Sequence, residues 1–230
     1  MQMPPTPDDD RGALSSFIPL VRASLSEYLR HCAYLLSIAI VRLVPFYVVL
    51  WYFPVSDNTM QAIAETLIAV PCVAALVRYV WETIRTETHL NLGDALLGAS
   101  PLVTLRLLGT NLFIVSVLVS LTLVGPVFFL ALLLTWSWVN LVTDQVVVIE
   151  GEMLVKAITR SLSIVRQTWP LSLAALLFLS LPDVLSLAVS SALEPTLWRE
   201  FITRGITLVT LPFSVTYLTL YYQHLMPASA

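Results

Sequence analysis

Charge is what this sequence has least of. Twelve basic and 15 acidic side chains make up 12% of 230 residues, about half the share of a soluble domain. Such a chain lacks the polar surface that water requires. Cysteine is nearly absent: Cys32 and Cys72 form no CxxC spacing, which excludes a disulfide framework or a thiolate metal site and leaves them as small packing residues. Of the three histidines, His31, His89 and His224, none falls inside an apolar run. All three lie near the same ends of those runs, where exposed interfacial side chains are expected ahead of haem or metal ligands. Gly98-Ala99-Ser100 superficially resembles a serine nucleophile turn, but Pro101 follows it and no histidine falls inside a span to act as its base. No enzyme chemistry, metal or cofactor is therefore expected. The net charge of -3 gives no reason to expect nucleic acid.

What fills the space is apolar: 57% of the residues are hydrophobic and the mean hydropathy is +0.83. Six runs are each close to the ~20 residues that a hydrocarbon core requires. They cover Ala33 to Phe53, Gln61 to Trp81, Leu107 to Leu123, Val127 to Ile149, Leu171 to Val189 and Ile206 to Tyr222. Runs such as Leu112 to Leu121 and Leu173 to Leu181 show no alternation with period two, so a bundle of helices is expected and a barrel is not. The expected fold is all-α, a polytopic six-span bundle over residues 17–225, flanked by an acidic tail (1–16) and a short C-terminal tail (226–230). Met1 to Asp10 is acidic and proline-rich, which is no cleavable signal, so the first span is expected to persist.

Basic residues set the orientation, because short cytoplasmic loops accumulate them. Arg11, Arg22 and Arg30 precede span one, Arg85 and Arg106 separate spans two and three, and Lys156, Arg160 and Arg166 separate spans four and five. The loop around Asp57 and the turn at Gly125-Pro126 have none, and the loop after span five has only Arg199 and Arg204. Both termini are expected in the cytoplasm and the chain in the cytoplasmic (inner) cell membrane. A shallow hairpin in place of spans three and four leaves that orientation unchanged.

Each odd-numbered span follows a segment that reads as an amphipathic helix lying at the membrane surface. In the third, Leu154, Val155, Ile158, Leu162, Val165 and Trp169 share one face at ~100° per residue, opposite Lys156, Arg160, Ser163 and Gln167. Such a helix turns its cations to anionic lipid or water, which makes Lys156, Arg160 and Arg166 candidate lipid contacts. In the first, Phe17, Val21, Leu25 and Tyr28 oppose Arg22, Ser26 and Arg30. In the middle one Asn91 is a candidate cap with Asp94 in the first turn, and Pro101 is expected to interrupt the helix. Ser24/Arg30, Ser100/Arg106 and Ser161/Arg166 recur at similar offsets before a span, a pattern that either an internal repeat or chance produces.

The run from Asp144 to Trp169 carries a family resemblance. Asp144, Val146 to Val148, Glu150-Gly151, Ala157, Arg160-Ser161 and Trp169 resemble the end of the fourth span and the following surface helix in the membrane-domain family of glycerophosphoryl diester phosphodiesterases and related six-span bacterial proteins. The resemblance covers strongly about a tenth of the chain, and the six-span layout extends it loosely. At the C-terminal end Tyr221-Tyr222 matches, but Gln223 and His224 replace the acidic and basic residues of that pattern. In that family catalysis belongs to a separate soluble barrel, for which this chain has no room beside six spans. The resemblance therefore implies a membrane module rather than a phosphodiesterase.

Charge inside a span costs several kcal/mol unless it is paired or hydrated. Arg42 in span one and Glu65 in span two differ in expected depth by roughly 9 Å. They form a candidate intramembrane pair, read as structural ahead of a transport or proton-relay role. Arg78 and Asp144 are expected near enough to the boundary to be solvated, as are Glu150 and Glu152. Trp136, Trp138 and Asn140 lie within span four, where helix packing is expected ahead of a lipid, pigment or partner contact. Asn140 and Asn111 are candidate interhelical hydrogen bonders. The expected function is a non-catalytic scaffold or accessory subunit, with the lipid bilayer and other membrane subunits as partners. A small transporter or lipid-handling protein is the alternative.

Overall fold

The structure is a computed structural model that describes residues 15–52, 58–86, 93–94, 100–121, 126–192 and 197–225. Among them every regular element is helical and no strand occurs. The chain runs through α1 (Phe17–Tyr52), α2 (Asn58–Thr86), α3 (Pro101–Leu121) and α4 (Pro126–Val139). A helical turn at Thr143–Gln145 and a π-helical turn at Val146–Glu150 lead to α5 (Val155–Gln167), α6 (Trp169–Leu179), α7 (Leu181–Ala192) and α8 (Leu197–Leu225). Three stretches of the described residues are long and apolar enough to cross a bilayer: Pro101–Ser120, Ala131–Glu150 and Trp169–Ala192.

The first surface segment and the first span form one uninterrupted helix of 36 residues. Nothing between Phe17 and Ala33 breaks it, since Pro19 falls in the first turn, where its missing N–H has no intrahelical partner to lose. The buried residues recur on one face: Leu20, Ser24, Tyr28, His31, Leu35, Ile38 and Leu43. That face packs on α2 and α8. Between α1 and α2 the contact uses small residues, with Ala39, Cys72 and Ala75 all excluded from solvent, as close backbone approach in an apolar medium requires.

A second cluster surrounds the segment that leaves α4. Leu141, Val142, Val146 and Val147 sit among Val70 and Ala74 of α2, Leu107 of α3, Ala157 and Val165 of α5, Ala175 of α6 and Tyr221 of α8. The bend between Val139 and Val155 is thus at the centre of the packing. By contrast α7 buries none of its residues.

Three sequence expectations shift. Pro101 opens α3, with the Ser100 Oγ accepting the Val103 N–H at 3.3 Å as an N-cap, and the surface helix expected before it lies mostly outside the described residues. The fourth run is not a continuous helix, because it turns at Asn140 to Val142 before the π-helical turn. The fifth divides at Ser180, where Pro182 enters the first turn of α7. Hydropathy averaged over a span-length stretch registers none of these breaks, since the few polar residues at each, such as Asn140 and Ser180, are outweighed by their apolar flanks. Asn91 and Gly125 fall outside the described residues.

Ile38 is fully enclosed between helices whereas Ile40 is 45% exposed. Ile38→Ala is expected to cost about 2–5 kcal/mol and Ile40→Ala well under half as much, read as thermal unfolding of the two variants in the same detergent micelle.

Candidate functional site

The densest set of polar contacts lies at the bend after α4, in the stretch from Asp144 to Trp169. A helix broken in apolar surroundings leaves backbone groups that water cannot satisfy. Ser161 of α5 supplies what the turn at Asn140 lacks: its hydroxyl donates to Val139 O at 2.7 Å and accepts the Val142 N–H at 3.4 Å. Asn140 itself folds back, its Nδ2 donating to Trp136 O at 2.8 Å and its Oδ1 accepting from Thr143 Oγ1 at 3.2 Å. Asn140 is therefore a local cap, while Asn111 does bond between helices, its Nδ2 donating to Asp144 Oδ1 at 3.1 Å and to Leu107 O at 3.1 Å. Asp144, expected in solvent, is partly buried behind that contact.

One turn of α3 holds the far side of the bend. Arg106 Nη1 donates to Gly151 O at 2.9 Å. Thr110 Oγ1 donates to Arg106 O at 2.9 Å and accepts the Leu154 N–H at 3.0 Å. The backbone here is unusual: Gly151 has φ 74 and Leu154 has φ 52. A left-handed leucine is a strained conformation, which persists only when neighbours over-determine it. The Thr110 bond and the burial of Ile158 on the next turn do so.

Glu150, expected as a solvated carboxylate, joins two helices. It accepts a short hydrogen bond from the Tyr222 hydroxyl of α8 and one from Arg160 Nε of α5 at 3.2 Å. Nearby, Thr168 Oγ1 and Tyr221 OH lie 2.7 Å apart. Trp138 Nε1 donates to Ser172 Oγ at 2.8 Å, and that hydroxyl in turn reaches Val165 O at 3.0 Å. Of the three candidate packing residues, Trp138 thus ties α4 to α6, Asn140 caps its own helix, and Trp136 has a buried Nε1 without a hydrogen-bond partner.

The candidate lipid contacts sit on the outer side of α5. Lys156 has an 80% exposed side chain 4.0 Å from Glu152, Arg160 shares its charge with Glu150, and Arg166 is exposed in the last turn. The buried face of α5 is Ala157, Ile158, Ser161, Ile164 and Val165, so only Ile158 and Val165 of the expected apolar face are enclosed. Val155, Leu162 and Trp169 form an exposed apolar edge. Arg42 and Glu65 lie on α1 and α2, which pack together, but their side chains are outside the described residues.

His31 corrects another expectation. It is buried, not an exposed interfacial side chain, with Nε2 3.5 Å from Glu27 Oε2 and Nδ1 3.4 Å from the Tyr79 hydroxyl. His224 is exposed and His89 lies outside the described residues. One helical turn before His31, burial and then the neighbouring Cys32 push the Tyr28 phenol above its ordinary value. It remains a neutral donor, to Val209 O at 3.3 Å. No spacing rule in the sequence separates Glu150, Thr110 or His31 from ordinary boundary residues; the only available signal was their common placement at one end of the spans.

The hydroxyls of Ser161 and Ser172 donate to backbone carbonyls and the Glu150 carboxylate is engaged by Tyr222 and Arg160. Chemically this constellation joins helices. Comparison with protein families, with curated proteins and with solved structures finds no match to this chain.

Gly151 adopts a left-handed conformation, and a Cβ there meets Arg106 Nη1 at 3.0 Å. Gly151→Ala is expected to lower stability by about 1–2 kcal/mol and Gly151→Asn by less, since asparagine tolerates that region. Denaturant titration of the two variants checks the order.

Proposed function

We propose that this chain is a non-catalytic membrane module acting as a scaffold or accessory subunit of a membrane assembly. The observation that carries the reading is where its polarity goes. Around the bend the hydroxyl, carboxylate and guanidinium groups bond to one another and to backbone, while apolar side chains of α3, α6 and α7 face outward. Leu105, Leu177, Leu181, Val184 and Leu187 are all more than half exposed. Outward leucine on a membrane helix has two solvents available, lipid and another protein, and van der Waals fit decides between them. A scaffold uses the second.

In this reading six spans cross the cytoplasmic membrane, both termini are cytoplasmic, and α5 lies along the headgroup boundary with Lys156, Arg160 and Arg166 toward water or anionic lipid. The exposed edge of Val155, Leu162 and Trp169 beside those cations supports that placement. A relation to the membrane domains of glycerophosphoryl diester phosphodiesterases rests on the same bend, where Asp144, Glu150-Gly151 and Ser161 each hold a joint. The transporter alternative needs a polar path through Arg42, Glu65, Asn111 and Asn140. Asn111 and Asn140 are engaged with Asp144 and with Thr143, which weighs against it.

Cysteines at Pro5 and Ser229 are expected to react only with cytoplasmic reagent and one at Asn58 only from outside; opposite labelling of the two termini removes the six-span topology. A charge placed at Leu187 is expected to release the protein from a larger native complex while the bundle still folds, read by native gel migration and thermal unfolding. Saturable solute uptake in liposomes that Arg42→Gln abolishes, together with a monomer in native membranes, replaces the scaffold with a transporter.

A further inference from the structure

Where α1, α2 and α8 meet, Glu27, His31, Tyr79, Thr83 and Thr216 line a crevice closed on its inner side by aliphatic side chains. It is away from the bend after α4 and shares none of its side chains. A carboxylate only accepts hydrogen bonds, so the proton of a neutral His31 sits on Nε2, toward Glu27 at 3.5 Å. Nδ1 then accepts from the Tyr79 hydroxyl at 3.4 Å. The Thr216 hydroxyl is spent on Pro212 O at 2.8 Å. Two features of the crevice are left over. The Glu27 carboxylate keeps 34% of its side chain open, and Thr83, only 9% exposed, has its hydroxyl turned to the Tyr79 oxygen, so that its own lone pairs stay unmet.

The remaining demand is for a donor. Glu27, the Thr83 hydroxyl and the lone pairs of the Tyr79 oxygen are three acceptors around one space, and the only formal charge lining it is negative while His31 is neutral. The free volume is ≈ 10 Å3, the room of a single water-sized group. A primary ammonium has three N–H donors, a positive charge and that size, whereas a trimethylammonium has no donor and is several times too large.

We propose that this crevice is a binding site for a primary ammonium group, with Glu27 as counter-charge and Thr83 and Tyr79 as hydrogen-bond acceptors. Two sources present that chemistry: the headgroup of an aminophospholipid such as phosphatidylethanolamine, and a free primary amine from the water side. The lipid source rests on the reading of α1 before Ala33 as lying at the headgroup boundary; the amine source does not.

The test compares thermal unfolding of the purified full chain in two arms. In one, phosphatidylethanolamine or phosphatidylcholine is added to detergent-solubilised protein; in the other, methylammonium or tetramethylammonium chloride at equal ionic strength. Saturable stabilisation by phosphatidylethanolamine over phosphatidylcholine assigns the lipid headgroup, and stabilisation by methylammonium over tetramethylammonium assigns the free amine; either supports the site. Glu27→Gln is expected to weaken the effective arm by roughly tenfold or more in half-saturating concentration, the loss of a charge-assisted bond. Thr83→Val, which keeps shape, is expected to weaken it severalfold, and Ser191→Ala, exposed on α7 away from the crevice, to leave it unchanged. No discrimination in either arm, or discrimination that survives both Glu27→Gln and Thr83→Val, overturns the proposal. Because the methylammonium arm needs no bilayer, its failure and a failure of the cysteine labelling are separate results.

Discussion

The Ser161 hydroxyl, set between Val139 O and the Val142 N–H, is the contact on which the rest of the molecule turns. A helix in hydrocarbon is free to run straight, because each of its backbone groups is paired within it. A helix that stops there is not, because each orphaned N–H or carbonyl costs several kcal/mol without water. This chain stops one at Asn140 and turns through Gly151 to Leu154. That path is tolerable only because side chains from α3, α5 and α8 close it. The break is expensive unless the neighbours are in place, so it also dictates where they stand.

That dependence explains why the strained part of the backbone is also the best-bonded part. Gly151 is placed by Arg106, Leu154 by Thr110, and Glu150 by Tyr222 and Arg160. All but the Arg160 bond cross between segments far apart in sequence, so the bend is a vertex shared by α3, α5 and α8 rather than a loop. Local and global structure support each other there, which is how a left-handed leucine survives. It also accounts for the asymmetry of the molecule: α1, α2, α5, α6 and α8 hold most of the packed residues, while α7 touches its neighbours without burying a side chain.

The fold class was legible because composition reports the solvent: a chain with 12% charge has to satisfy its backbone internally, and helices do so. The stretch from Asp144 to Trp169 also stood out in the sequence, since glycine, acid, arginine and serine there interrupt an otherwise apolar text. What was illegible has one physical cause. In water the apolar stripe of a helix marks its buried face, but beside lipid both faces are apolar and periodicity loses its meaning. Leu162 and Ile158 of α5 look alike in the sequence, yet the first is exposed and the second buried. The turns at Asn140 and Ser180 were invisible to hydropathy because their long apolar flanks outweigh the few polar residues there. His31 was misplaced because its partner Tyr79 is 48 residues away and nothing local announces it.

The way polarity is spent bears on function. A catalytic site keeps a nucleophile or base poised and accessible, and a transport path keeps polar groups facing an open channel. Around the bend the hydroxyls of Ser161 and Ser172, the Glu150 carboxylate and the Arg106 guanidinium are drawn into joints instead. Rigidity of that kind favours a part whose outer surface is the working surface. Away from the bend, in the other packing cluster, the Glu27 carboxylate is partly open beside the buried Thr83 and Tyr79 side chains. A partly open carboxylate beside hydroxyl lone pairs is where the proposed ammonium group would be held, and a chain holding one headgroup or amine there would couple its packing to the composition of its surroundings.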